Sequence, residues 1–157
     1  MKNLSLFCLL LTCIGFQSCK KDQKSDDAKD QTEAPLSVSC YKALYEKDTV
    51  ELKINTLKDG KITGDMVMKI FTMPKKVGEI TGEFHGDTLF VDYSFSEGKD
   101  EKKIFKNPLA MLKKGDTLIL GNGKIETYLG RSYFSKGLPI DFENVKYKFL
   151  TVDCVDK

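Results

Sequence analysis

Gly86-Asp87-Thr88-Leu89-Phe90-Val91-Asp92-Tyr93 is the stretch that decides the fold class of this chain. A Gly-Asp turn feeds a segment in which Leu89, Val91 and Tyr93 fall on one side and Phe90 and Asp92 on the other. Alternation with a period of two residues is the mark of a strand with one buried face, as in an antiparallel sheet. The same unit recurs as Lys47-Asp48-Thr49-Val50-Glu51-Leu52-Lys53-Ile54 and as Gly115-Asp116-Thr117-Leu118-Ile119-Leu120. The spacings between these repeats are unequal, which fits successive hairpins of a meander and not a solenoid.

Working outward, Gly60-Lys61-Ile62-Thr63-Gly64 and Gly78-Glu79-Ile80-Thr81-Gly82 form a second recurring unit. Asp59-Gly60 and His85-Gly86-Asp87 carry turn chemistry, because glycine accepts a positive φ without a steric cost. Ile62, Met66, Met68 and Ile70 alternate with polar Thr63 and Lys69, although Val67 and Phe71 blur the outer face, and Phe95 extends the inward set of Leu89, Val91 and Tyr93. The large inward residues Met66, Met68, Tyr93 and Phe95 predict an interior filled by side chains. Ser96-Glu97-Gly98-Lys99-Asp100 reads as a hairpin tip, and Pro108 predicts an edge or a loop after Lys103-Ile104-Phe105. A last strand is expected over about residues 147–154. The fold class expected is all-β: a single antiparallel domain of about eight to ten short strands, as an up-and-down barrel or a small β-sandwich.

The chain divides into residues 1–18, 19–35 and 36–157. Lys2 and a nearly unbroken apolar run over residues 4–16 read as a secretory signal peptide, and the run is too short for a spanning helix. Phe16-Gln17-Ser18-Cys19 resembles a bacterial lipobox. The resemblance implies cleavage before Cys19, diacylglycerol on its thiol and a mature protein held to a membrane by lipid. Leu10-Leu11-Thr12-Cys13 is a second such match, and simple secretion without lipid is the plainer alternative. The sharp polar edge at Lys20-Lys21-Asp22 favours Cys19 as the boundary. Residues 20–35 hold four lysines, five acidic residues and two alanines, too little apolar surface to fold, so they read as a flexible tether. The charged start of that tether resembles surface-export signals of Bacteroidota lipoproteins. The expected place is therefore the outer membrane, on its periplasmic or outer face.

Once the signal and the lipid site are set aside, Cys40 and Cys154 remain. Two cysteines near opposite ends of one domain in an oxidising compartment predict a disulfide, with a metal site or reactive thiol as the alternatives. The single histidine, His85, and the absence of ligand-like spacing around either cysteine argue against metal. A formal net charge of +2 gives no basis for nucleic-acid binding. Asp87, Asp92, Asp116 and Asp141 lack calcium-loop spacing, and the glycines mark hairpins instead of a phosphate cradle. His85 in its glycine-flanked turn reads as a solvated residue, and no nucleophile-elbow sequence is present. No cofactor and no catalytic residue are assigned, and a non-enzymatic role is expected.

Cys40-Tyr41, Asp48-Thr49-Val50, Gly86 to Leu89 with Asp92-Tyr93 and Phe95, Ser96-Glu97-Gly98 and Cys154 together resemble a group of uncharacterised Bacteroidota lipoproteins. That resemblance implies no activity. Tyr128, Arg131, Tyr133, Phe134 and Lys136 gather aromatic surface and the sole arginine within nine positions, the residue types enriched at binding hot spots. The candidate binding surface is Tyr128, Arg131, Tyr133 and Lys136. Its plainer alternative is a hairpin tip at Gly130-Arg131-Ser132 with the aromatics leaning back onto the core. Gly130 with Tyr133, followed by Phe134-Ser135-Lys136-Gly137, is similar to motifs of lipoprotein inhibitors of c-type lysozyme, although the two motifs are collapsed here and the serine-rich lead is missing. The sequence thus points to a non-catalytic envelope lipoprotein that binds a protein or small molecule or serves a structural role, with inhibition of a secreted hydrolase as the alternative.

Overall fold

The computed structural model describes residues 34–155; the signal segment, Cys19 and the tether up to residue 33 lie outside the described residues. The described residues form a compact unit with its own core. Its strands in chain order are β1 (Ser37–Tyr45), β2 (Asp48–Thr56), β3 (Lys61–Lys69), β4 (Lys76–His85), β5 (Thr88–Glu97), β6 (Asp100–Lys114), β7 (Thr117–Leu120), β8 (Ile125–Tyr128), β9 (Arg131–Phe134) and β10 (Lys148–Val152). Eight of them close a barrel in the order β1-β10-β7-β6-β5-β4-β3-β2, while β8 and β9 form a separate two-stranded sheet. All pairings are antiparallel. The choice between barrel and sandwich is therefore settled as a barrel. Closure gives each of the eight strands a neighbour on both sides, although β7 pairs with only the last part of β6.

The alternation read from sequence sets the inside and outside of the wall. In β2, Val50, Leu52 and Ile54 are buried while their neighbours Glu51 and Lys53 are half-buried. In β5, Leu89, Val91, Tyr93 and Phe95 all point into the core. They meet Ile62, Met66, Ile80, Met111, Leu118 and Phe149 from the other strands. An eight-stranded barrel is just wide enough for side chains to fill it. Tyr93 and Phe95 stack with ring centroids 4.7 Å apart, and Phe95 stacks on Phe105 at 5.5 Å. The Tyr93 hydroxyl donates to the Met66 carbonyl at 3.1 Å, so the one polar atom in this aromatic row is satisfied. Met68, by contrast, packs against the core only from a half-buried position near one rim.

Where the wall must bend, side chains are missing. A Cβ on Gly64 would strike the Lys53 carbonyl, and one on Gly82 would strike the Phe90 carbonyl. These inward glycines let adjacent backbones approach at the corners of a small barrel.

Two sequence expectations are refined. Of the edge or loop read from Pro108, the structure has the edge: Pro108 lies inside the fifteen-residue β6, opposite Asp92 of β5 and beyond the reach of β7. The reason is directional. The Ala110 carbonyl accepts from Gly121 N–H, and Lys113 N–H donates to the Asp87 carbonyl on the opposite side. Even-numbered positions of this part of β6 therefore turn their backbone groups toward β7, and β7 pairs only with Met111 to Lys114. The missing N–H of Pro108 faces the side of β6 that β7 does not reach, which is where a strand tolerates proline. The last strand is also shorter than expected, ending at Val152.

Cys40 of β1 and Cys154, two residues past β10, form the expected disulfide with Cα atoms 5.2 Å apart. Cys40 is the register partner of Val152, so the bond staples the seam between β1 and β10.

Candidate binding surface

The chain leaves the barrel wall after β7 and returns at β10, and the excursion is built as a hairpin. Asn122 and Asp141 exchange backbone hydrogen bonds at 2.8 and 3.0 Å, forming its base. The Asp141 carboxylate accepts from the Asn144 side-chain amide, Asn144 N–H and Glu143 N–H, which holds its pKa below the usual carboxylate range. Ser135 N–H then donates to the Lys124 carbonyl at 2.8 Å, and β8 pairs with β9 from Ile125 opposite Phe134 to Tyr128 opposite Arg131. Leu129 and Gly130 make the two-residue tip with φ of 49° and 76°. Positive φ at both central residues matches the twist of a tight hairpin loop.

Strand register sorts the side chains. Tyr128 pairs with Arg131 and Glu126 with Tyr133, so these four share one face, while Ile125, Phe134, Thr127 and Ser132 occupy the other. Glu126, Tyr128, Tyr133 and Lys136 surround an open depression of about 460 Å3. Tyr128 is 66 % exposed and Tyr133 is 39 % exposed. Ser135, itself buried, donates its hydroxyl to Glu126 Oε1 at 2.8 Å and fixes that carboxylate at the rim. Among the described residues no carboxylate forms an ion pair with Arg131.

Sequence placement and structure agree on the grouping and differ on the tip. Tyr128, Arg131 and Tyr133 are brought together, and Lys136 joins the tyrosines just beyond β9. The turn sits at Leu129-Gly130, one step before the expected Gly130-Arg131-Ser132, so Arg131 and Ser132 belong to β9. Tyr128 and Tyr133 do not lean on the barrel core; of the three aromatics, Phe134 is the half-buried one that packs inward against Gly123. Two features were missed. Leu129 stands at the tip 84 % exposed, and Glu126 completes the rim of the depression. The hairpin covers barrel wall as well: Ala110 occupies an outward-facing position of β6 yet is wholly buried, and β9 packs against β6.

Beside that covered strip runs a second open groove of about 520 Å3. Phe134, Pro108 and Phe90 give it apolar walls, and Lys61, Glu83 and Asp92 line its polar side. His85 sits at its end, exposed, with Nε2 3.1 Å from Glu83 Oε1 and its ring edge-on to Phe90 at 5.7 Å. No group of three or more His, Cys, Asp or Glu among the described residues is placed to hold a metal ion. At the barrel rim the Tyr147 hydroxyl donates to Asp48 Oδ2 at 2.7 Å while Phe71 N–H donates to Oδ1 at 2.8 Å. The backbone bond first and the phenol second lower the Asp48 pKa, and burial together with this carboxylate raises that of Tyr147. The contact ties two loops together. Comparison of the chain with protein-family models, curated proteins and solved structures finds no match.

Proposed function

We propose that this protein is a non-catalytic lipoprotein of the cell envelope, anchored to the outer membrane through Cys19. In this reading it uses the β8–β9 hairpin to bind a carboxylate-bearing protein or small molecule. One observation carries the reading. Tyr128, Arg131 and Tyr133 occupy a single exposed face outside a barrel whose interior is filled by its own side chains. An arginine with no carboxylate ion-pair partner among the described residues has its planar fork available for a bidentate bond, and a flanking tyrosine offers a ring for stacking. Arg131→Ala is expected to weaken a captured partner by ~2 kcal/mol or more while leaving thermal stability unchanged. Titration calorimetry and a melting curve on the same variant check both halves. Equal affinity of variant and parent protein would remove the hairpin from the binding role.

The anchor has its own test. Cys19→Ala should abolish fatty-acid incorporation and leave uncut precursor, read by labelled palmitate and by electrophoretic mass. Continued labelling would move the lipid site to Cys13.

A second reading, inhibition of a secreted hydrolase such as c-type lysozyme, is favoured by the exposed Leu129-Gly130 tip, which has the shape of a loop that enters a cleft. Addition of the soluble domain should then stop lysozyme activity, and Tyr133→Ala or Arg131→Ala should restore it. No inhibition at micromolar domain discards this reading and leaves the first standing.

A further inference from the structure

We propose that the connection between β3 and β4, residues 70–75, docks onto an anionic phospholipid bilayer. It reads Ile70-Phe71-Thr72-Met73-Pro74-Lys75, with Lys69 before it and Lys76 after it, and contains no acidic residue. Phe71 is 57 % exposed and Met73 52 % exposed, although both are large and apolar.

The loop is held in this presentation by its neighbours. Besides the Phe71 bond to Asp48, Met73 N–H donates to the Ile70 carbonyl at 3.0 Å, and Gly98 N–H donates to the Lys75 carbonyl at 2.9 Å. Thr72 has a φ of 65°, a left-handed conformation that is an outlier for a β-branched residue. Backbone strain of this kind persists where surrounding structure imposes it, and it clusters at sites of binding. Burial in the domain's own core accounts for neither exposed side chain.

Charge decides the occupant. The Lys47 ammonium lies 4.4 Å above the Phe71 ring, and Lys75 and Lys99 are exposed on adjoining turns. Lys69 and Lys76 are 3.9 Å from Glu51 and 3.3 Å from Glu97, and among the described side chains Glu46, Asp48 and Asp100 are the other acids on these turns, Asp48 being taken up by Phe71 N–H and the Tyr147 hydroxyl. Cations thus flank a two-residue apolar tip. Side chains of this kind enter the boundary between headgroups and acyl chains while lysines stay at the phosphates. Strand register puts the turns at residues 45–48, 70–75 and 97–100 at the barrel end opposite the start of β1. The contact is therefore distinct from lipid attachment at the chain's amino end.

The test uses residues 34–157, the compact unit, sedimented with vesicles. It should pellet with phosphatidylcholine mixed with phosphatidylglycerol, pellet poorly with phosphatidylcholine alone, and be released by salt. Phe71→Ser combined with Met73→Ser should weaken vesicle binding by about tenfold or more, since two large apolar side chains would no longer be buried. Lys47→Glu with Lys75→Glu should weaken it too. Circular dichroism establishes that each variant is folded. Arg131→Ala should bind vesicles undiminished, which separates this surface from the hairpin. The proposal is overturned if the parent domain pellets with neither vesicle or if the serine variant pellets as well as the parent. Capture on soluble polyglutamate without vesicle binding would overturn it as well, and would assign the lysines to an acidic polymer.

Discussion

Replacing Phe149 with alanine is expected to remove about 3–5 kcal/mol of stability, the range for truncating a buried aromatic side chain. Phe149 is the sole buried residue of the five-residue β10, whose other four side chains are exposed. That short strand closes the barrel, pairing with β7 at three positions and with β1 at three. Its attachment to the core therefore depends on one ring packed beneath a few ladder bonds. Against a total of about 5–15 kcal/mol for a domain of ordinary stability, the loss is large enough to populate the unfolded chain at growth temperature. Urea titration followed by circular dichroism measures it. Leu150→Ala, at a neighbouring position 61 % exposed, should shift the midpoint little. Equal effects of the two would mean that β10 is not held through its inner face.

Loss of the Cys40–Cys154 bond should be comparable in size. The cysteines are 114 residues apart, and loop-closure entropy for such a span gives about 4–5 kcal/mol. The bond secures the same seam that Phe149 anchors, since Cys40 stands opposite Val152. Reduction, or Cys40→Ala with Cys154→Ala, should lower the urea midpoint strongly without changing the folded spectrum. The two lesions act on one closure, so their combined effect should depart from the sum of the single effects. Two titratable thiols in the freshly isolated folded protein would contradict the account of this seam.

The parts of the fold that were legible in sequence are those governed by local alternation. Val50, Leu52 and Ile54, and Leu89 to Phe95, declare their inner face because strand side chains repeat every two residues. The closed barrel was not separable from a sandwich, because closure depends on β10 meeting β1 across almost the whole chain. Pro108 left edge and loop open for a similar reason. Whether a proline fits a strand depends on which way its nitrogen faces, and that was fixed by how far β7 extends along β6.

The candidate surface shows the same division. Tyr128, Arg131 and Tyr133 were recognisable by residue type, and their common face follows from register once the turn is placed. The turn itself was misplaced by one residue, because a leucine at positive φ is not what turn chemistry predicts. The groove beside the hairpin was not legible, since residues distant in sequence enclose it, whereas three of the four residues around the hairpin depression were named and Glu126 alone was missed.

The central claim is that binding occurs on the outer face of the hairpin and not inside the barrel. The most direct measurement places a photo-crosslinking phenylalanine analogue at Tyr128 or Tyr133 in the full-length protein in living cells, with Thr81 on the barrel wall as the control. The account predicts a discrete adduct from the two hairpin positions, none from Thr81, and loss of the adduct when Arg131→Ala is added. An adduct at Thr81 alone, or hairpin adducts indifferent to Arg131→Ala, would contradict it.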